Sequence, residues 1–502
     1  MTELSDPPAW VADAVFYQIF PDRFAMSPRV EKPGPFETWD SPPTTHGFKG
    51  GDLLGIVDRL DYLTSLGVNA LYLTPVFSSA SNHRYHTYDY YQVDPLLGGD
   101  DALRELLDAS HARGMRVVLD GVFNHSGRGF WPFHHIVETG ASSPYIDWFY
   151  VDKVALAAGK ELQPYPSPGE RSDPRRLGYR AWWDLPALPK LNTNNPHMRE
   201  HLMRAAEHWL RFGIDGWRLD VAEEIDAGFW REFRRRVRAI NPDAYIVAEI
   251  WREKPEWVAG DTFDALMNYP LTEALLSFTA ADTLDMAVVS RQHEYRDFVR
   301  PIDGPEFARR LAHIVTMYRP DTIVAQLNLL GSHDTPRYVT VAGGDKEAYR
   351  LAMLAINTLP GAPCIYYGDE VGMQGRHDPD NRRAFPWDEA RWDHEVLDFV
   401  RCMTSLRSEH DFLRRGQFTT LAAEGQAVAY ARHTGEAGDS GAIVILNAGK
   451  TAARLEFAGE FETLSPVGLP GWTPPRTERS EGRVAVEIGA RSGGFIRFTE
   501  PS

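Results

Sequence analysis

From residue 14 onward, short apolar runs alternate with longer segments whose apolar positions recur every three or four residues. That rhythm predicts repeated β-α units and a parallel sheet, because a strand buried on both faces reads as a continuous apolar run while its crossover helix buries one stripe. The runs at 14–24, 68–76 and 115–124 read as the first three strands. Between them Leu53, Ile56, Val57, Leu60 and Leu63 keep helical spacing up to Gly67, and 101–113 forms a second helix closed by Gly114. At residue 126 the rhythm stops.

Residues 126–188 hold no long periodic segment, only Gly, Pro and many aromatics, among them Phe130, Trp131, Phe133, Trp148, Trp182 and Trp183. A structureless loop of that length is foreign to a compact domain, so the stretch reads as a subdomain inserted at the C-terminal end of the third strand. The rhythm resumes with a helix at 196–212, where Leu202, Ala206, Trp209 and Leu210 share a face. Strands follow at 213–220, 244–250, 263–269, 322–334 and 362–368, with helices around Phe233, at 349–359 and at 396–408. Past residue 417 the pattern changes to short alternating strands such as AVAYARH and GAIVILN with Gly-rich turns, an all-β signature. The predicted fold class is α/β: a (β/α)8 TIM barrel from 1–125 and 189–416, an inserted domain at 126–188, and a C-terminal β-sandwich at 417–502.

The fourth strand departs from the apolar rule. Trp217, Leu219 and Val221 turn one way while Arg218 and Asp220 turn the other. A barrel strand tolerates this, since its outer face packs on helices and its inner face becomes polar near the C-terminal mouth, where barrel enzymes keep their chemistry. A lone Arg-x-Asp step also fits a structural ion pair, so its neighbours must decide. The fifth strand carries Glu249 and the seventh closes with His333-Asp334. Three acids then converge on one rim. Two carboxyls on neighbouring strand ends suit the short separation of a retaining glycosidase, one as nucleophile and one as acid/base. Arg218 is expected to keep Asp220 ionised, and the apolar flanks of Glu249 to keep its proton on. Asp334 can grip sugar hydroxyls as charge develops, with His125 and His333 as neutral donors. Asp120 is expected to pair with Arg218.

A formal net charge of -17 argues against nucleic acid or an anionic membrane as partner. Cys364 and Cys402, the only cysteines, have no metal-ligand spacing and are too few for a disulfide framework. The first twenty residues lack a basic start and an uninterrupted apolar core, and no apolar run is long enough to cross a bilayer, so a cytoplasmic protein is expected.

These residues carry a family resemblance. The chain is similar to glycoside hydrolase family 13, the α-amylase family, and within it resembles the neopullulanase, cyclomaltodextrinase and maltogenic amylase branch. The matching motifs are FYQIFPDRFA at Phe16, DGVFNH at Asp120, LPKLN at Leu188, GWRLDVAEE at Gly216, AEIW at Ala248, GSHD at Gly331 and GAPCIYYGDEVGM at Gly361. LPKLN points to the branch, because the α-1,6-preferring oligoglucosidases of the family carry a different central residue. The resemblance implies Asp220 as nucleophile, Glu249 as acid/base and Asp334 as transition-state stabiliser. It also implies that His83, Tyr85, His125, Arg218 and His333 line the subsite of the cleaved glucose, that Asp378 and Arg382 hold the non-reducing end, and that Glu224 steers the acceptor.

There are departures. The branch usually begins with an extra N-terminal β-domain that helps form dimers, whereas here the first strand starts near residue 14, so a monomer or weak homo-oligomer is expected. The loop after Phe24 lacks the Asp and Asn run that would ligate Ca2+, so no cofactor and no metal is expected there. His86 and Glu223 stand where the family commonly has Asp and Asn. The expected activity is retaining hydrolysis of α-1,4 bonds in maltodextrins. The alternatives are an α-glucan transferase or isomerase of the same family, and, from another class, a non-catalytic carbohydrate-binding protein.

Overall fold

The computed structural model describes residues 5–167, 174–435 and 440–499. The parts of the expected domains at 1–4, 168–173, 436–439 and 500–502 lie outside these residues. Eight parallel strands run β1 (Phe16–Ile19), β2 (Ala70–Leu73), β3 (Arg116–Gly121), β4 (Gly216–Leu219), β5 (Tyr245–Ala248), β6 (Ala265–Leu266), β7 (Leu327–Leu329) and β8 (Ala362–Tyr366). They pair in the order β6-β5-β4-β3-β2-β1-β8-β7. A parallel bridge from Met267 to Leu327 joins the two ends and closes the cylinder.

Alternation along each strand splits the apolar side chains into two cores. Tyr17, Leu71, Val117, Leu119, Trp217, Leu219 and Ile246 face outward into the layer shared with the helices. Phe16, Ala70, Tyr72, Val118, Tyr245, Val247 and Cys364 fill the barrel. On β4 the inward row is Gly216 and Arg218, so a guanidinium enters the barrel, where it joins the buried Gln18 of β1 and Asp120 of β3.

The helix that feeds β4 shows how the sequence sets an element. Asn195 accepts from the N–H groups of His197 and Met198, and Pro196 takes the first turn, where its missing N–H costs nothing. Met198, Leu202, Ala205, Ala206 and Trp209 bury one stripe of Pro196–Phe212. Gly213, at φ 115°, ends it in a conformation that a Cβ would crowd.

Three expected boundaries need correction. Residues 14–24 are not one strand, because Pro21 opens a helical turn, Pro21–Phe24, after β1. The run 322–334 is mostly not strand. Pro320 and Asp321 start the helix Pro320–Ala325, and only Leu327–Leu329 joins the barrel. The sixth strand is shorter than 263–269, since Tyr269 already begins the helix Tyr269–Thr279. After β5 the helical layer thins to a single 3-10 turn, Pro255–Trp257.

The chain leaves the barrel after β3 and returns through two bridges, His125 to Lys190 and Phe149 to Leu191. In between, the helix Trp131–Thr139 and shorter turns enclose Phe130, Phe133, Ile136, Phe149 and Tyr179. The C-terminal part is two antiparallel sheets. One holds β9 (Gln417–Glu424), β10 (Ala427–His433), β11 (Ser440–Asn447), β13 (Thr463–Val467) and β16 (Ser492–Thr499), in the order β13-β16-β11-β10-β9. The other holds β12 (Ala453–Ala458), β14 (Arg476–Ser480) and β15 (Arg483–Ile488), with β15 central. Ile443, Ile445, Leu455, Phe457, Val486, Ile496 and Phe498 pack between them.

Candidate active site

A cleft of about 590 Å3 opens at the C-terminal ends of the strands, between the barrel and the inserted residues. Asp220, Glu249 and Asp334 all line it. Asp220 follows β4 directly and Glu249 follows β5, while Asp334 sits in the turn after β7. The expected convergence is therefore present in space.

Arg218 organises the floor. Its Nη1 donates to both oxygens of Asp120, at 3.0 and 2.9 Å, and to Asp220 Oδ1 at 2.9 Å. Its Nη2 stands 2.9 Å from Glu249 Oε2, off the hydrogen-bonding direction. One guanidinium thus spans the carboxyls of both Asp220 and Glu249. Asp120 also accepts from the hydroxyls of Tyr72 and Tyr85, and burial lifts its pKa to about 6.

Two expectations from sequence are overturned here. Glu249 is not in an apolar setting. It accepts from the Val221 N–H at 3.0 Å and the Trp251 indole at 3.0 Å, besides facing Arg218. Nor does Arg218 alone set the state of Asp220. Burial, and then the charge of Glu249, push the pKa of Asp220 well above the ordinary carboxylate value, against the pull of Arg218. Asp120, Asp220 and Glu249 would together carry three negative charges over one positive, so the substrate-free cluster favours retaining a proton.

Arg218 itself does not line the cleft. It is fully buried beneath it with its Nη atoms facing carboxylates, so the expectation that it lines the subsite is corrected: it meets the cleft through Asp220 and Glu249. The other expected residues do line the cleft: His83, Tyr85, His125, Glu224, His333, Asp378 and Arg382. Tyr85 stacks on His333 with ring centres 5.2 Å apart, and its hydroxyl meets His333 Nε2 at 2.6 Å. Asp334 is held between His333 Nε2 at 3.1 Å and Arg382 Nη2 at 3.3 Å, and Arg382 reaches Asp378 at 3.1 Å. Burial keeps the histidines neutral: His125 falls to about 3, and His83 and His333 lie well below the usual imidazole value. Among the described residues His125 Nε2 has no partner, which leaves it free to meet a ligand hydroxyl.

The structure brings further residues to the cleft. Trp251 lies flat on Tyr269, with ring centres 3.5 Å apart, and donates to Glu249. Trp182 stacks between His125 and Trp183, and Trp183 is 70% exposed at the cleft edge. Gln292, His293 and Glu294 supply the opposite wall from a segment without any motif. Of these, Trp251 stands in a readable motif, two residues beyond Glu249 in AEIW, and Trp182 and Trp183 stand out among the aromatics of the inserted stretch.

Among the described residues no three His, Cys, Asp or Glu side chains gather as a metal cluster. In the loop after Phe24 the Lys32 ammonium reaches Asp52 Oδ2 at 2.5 Å and the Gly50 carbonyl.

Residues 18–415 match the model of the α-amylase catalytic domain. The chain belongs to the α-amylase family. A cyclomaltodextrinase from Bacillus sp is 43% identical over 458 residues, covering 90% of this chain and 76% of that protein. Among solved α-amylase-family structures, a debranching enzyme from Nostoc punctiforme superposes with a TM-score of 0.86 at 44% identity, covering 98% of this chain and 99% of the other. A cyclic α-maltosyl-(1→6)-maltose hydrolase from Arthrobacter globiformis does so with 0.81 at 37%, covering 98% and 100%.

Proposed function

We propose that this chain is a retaining hydrolase of α-1,4-glucosidic bonds in maltodextrins. The observation that carries the reading is the pair Asp220 and Glu249, spanned by Arg218 at 2.9 Å to each, with Asp334 on the same cleft. Asp220 attacks the anomeric carbon while Glu249 gives its proton to the departing glycosidic oxygen. Water then displaces Asp220, with Glu249 taking the proton back. Asp334, clamped by His333 and Arg382, holds ring hydroxyls as positive charge grows on the sugar. Asp378 and Arg382 bound the non-reducing side, while Glu223, Glu224, Trp251 and Trp183 bound the side from which water or a sugar acceptor arrives. The names of the relatives, a cyclomaltodextrinase and hydrolases of cyclic and branched maltosaccharides among them, support an α-glucan as substrate. No cofactor takes part in this reading.

The test is to measure Asp220→Asn and Glu249→Gln on maltotriose. Each is expected to lose about 10^3-fold or more in kcat at unchanged melting temperature. Proton NMR of the first product of the wild type is expected to show the α-anomer. A β-anomer, or full activity in either variant, would refute the reading. Excess glucose in the assay separates transfer from hydrolysis, since longer or rearranged sugars dominate only in a transferase.

A further inference from the structure

Val221 follows Asp220 directly and is held at φ 38° and ψ 49°. A β-branched side chain is crowded in this left-handed region, and such a conformation persists only where its surroundings over-determine it. Those surroundings can be named. The Trp230 indole donates to the Ala222 carbonyl at 2.8 Å, and the Glu224 N–H closes the turn on the Val221 carbonyl at 3.0 Å. Lys190, buried and carried by the returning end of the inserted residues, donates to the Glu224 carbonyl at 2.9 Å and to Asn124 Oδ1 at the end of β3. With the turn fixed in this way, the Val221 N–H points across the strand ends at Glu249 Oε2, 3.0 Å away.

We propose that the left-handed Val221 peptide, pinned by Lys190, positions the acid/base carboxyl: it claims Oε2 of Glu249 and leaves Oε1 as the oxygen that delivers the proton. The inference rests on the role of Glu249 given above. Oε2 faces an N–H and a guanidinium nitrogen, so a proton of its own would meet two donors. Among the described residues Oε1 accepts only from Trp251 and keeps a lone pair for a proton. In the first displacement that proton passes from Oε1 to the glycosidic oxygen as its bond to C1 breaks and Asp220 bonds to C1. In the second, Oε1 takes a proton from the water that displaces Asp220. Val221 and Lys190 exchange no proton with the sugar; both act through Glu249.

The direct test replaces residue 221 by 2-hydroxyisovaleric acid, which exchanges the N–H for an ester oxygen and keeps the side chain. Losing one hydrogen bond to a charged group is expected to lower kcat on maltotriose about 10- to 100-fold, with KM nearly unchanged. The pre-steady-state burst with 4-nitrophenyl α-maltoside, whose leaving group needs little protonation, is expected to fall less than about threefold. Lys190→Met is expected to show the same split in weaker form; if it melts early, the ester protein alone carries the test. Glu249→Gln runs in parallel. Full maltotriose activity in Glu249→Gln sinks the functional reading itself. If Glu249→Gln is inactive on maltotriose while the ester protein matches wild type, or loses both substrates equally, the positioning role is overturned and the functional reading stands. A normally folded Lys190→Met with wild-type kinetics removes Lys190 from the device.

Discussion

Arg218 stands under Asp120, Asp220 and Glu249 with its Nη atoms within 3.0 Å of all three carboxyls. The alternation of Arg218 and Asp220 against Trp217 and Leu219 was readable along β4, because period two is a local property of a strand. That Glu249 shares the same guanidinium was not readable. It depends on how far a side chain reaches across a strand pair, which no spacing along one strand reports. Val221 was hidden for a different reason: its type argues against the left-handed backbone it adopts, so only the surrounding turn reveals it. His86, which stands where the family commonly has Asp, gives a prediction at this scale. Burial lowers its pKa to about 4, from 6.5 for the free side chain. Below pH 6.5 the unfolded chain therefore binds a proton that the folded chain refuses, and stability is lost as the pH falls toward 4. Compared with His86→Gln in urea titrations, the wild type is expected to lose up to roughly 1.4 kcal/mol per pH unit across that window. Above pH 7 the difference between the two is expected to stay constant.

Among the elements, long periodic segments were legible and short ones were not. Pro196–Phe212 announced itself by its Asn cap, its Pro and its apolar stripe, whereas Pro320–Ala325 was taken for strand because Thr322, Ile323, Val324 and Ala325 form an apolar run too short for a helical period to show. Its Pro at the first turn was the overlooked signal. The helix Lys346–Thr358 ends against two buried arginines that have no carboxylate partner among the described residues. Arg407 donates to the carbonyls of Ala12, Asn357, Leu359, Gly361 and Leu413, and Arg432 to those of Thr358, Leu413, Gly416 and Gln417. Burial brings both guanidinium pKa values down to about 9. Together they join the barrel to the C-terminal sheets through backbone oxygens that are mostly buried. Arg432→Met strands those acceptors and is expected to cost about 3 kcal/mol or more in denaturant unfolding. Because Arg432 lies far from the strand ends that hold Asp220, kcat well below the melting temperature is expected to be unchanged.

For the molecule as a whole, the succession of apolar runs was enough to expect eight units and a closed cylinder, but not how unevenly that cylinder is closed. From β6 backward to β1 and on to β7 the strands pair in continuous register. Between β6 and β7 there is one bridge, Met267 to Leu327, helped by the Asn268 N–H on the Leu327 carbonyl and by a side-chain bond from Asn268 to Asn328. Hydrogen exchange is expected to be faster at Asn268 than at any amide pairing β2 with β3. The three carboxyls that line the cleft are divided by this line: Asp220 and Glu249 follow β4 and β5 on one side, while Asp334 follows β7 on the other. A cylinder that splits like a barrel losing one hoop would part there first. Heat would then carry Asp334 away while the other two carboxyls still stood over their shared guanidinium, and on the function proposed above the protein would fall silent before it fell apart.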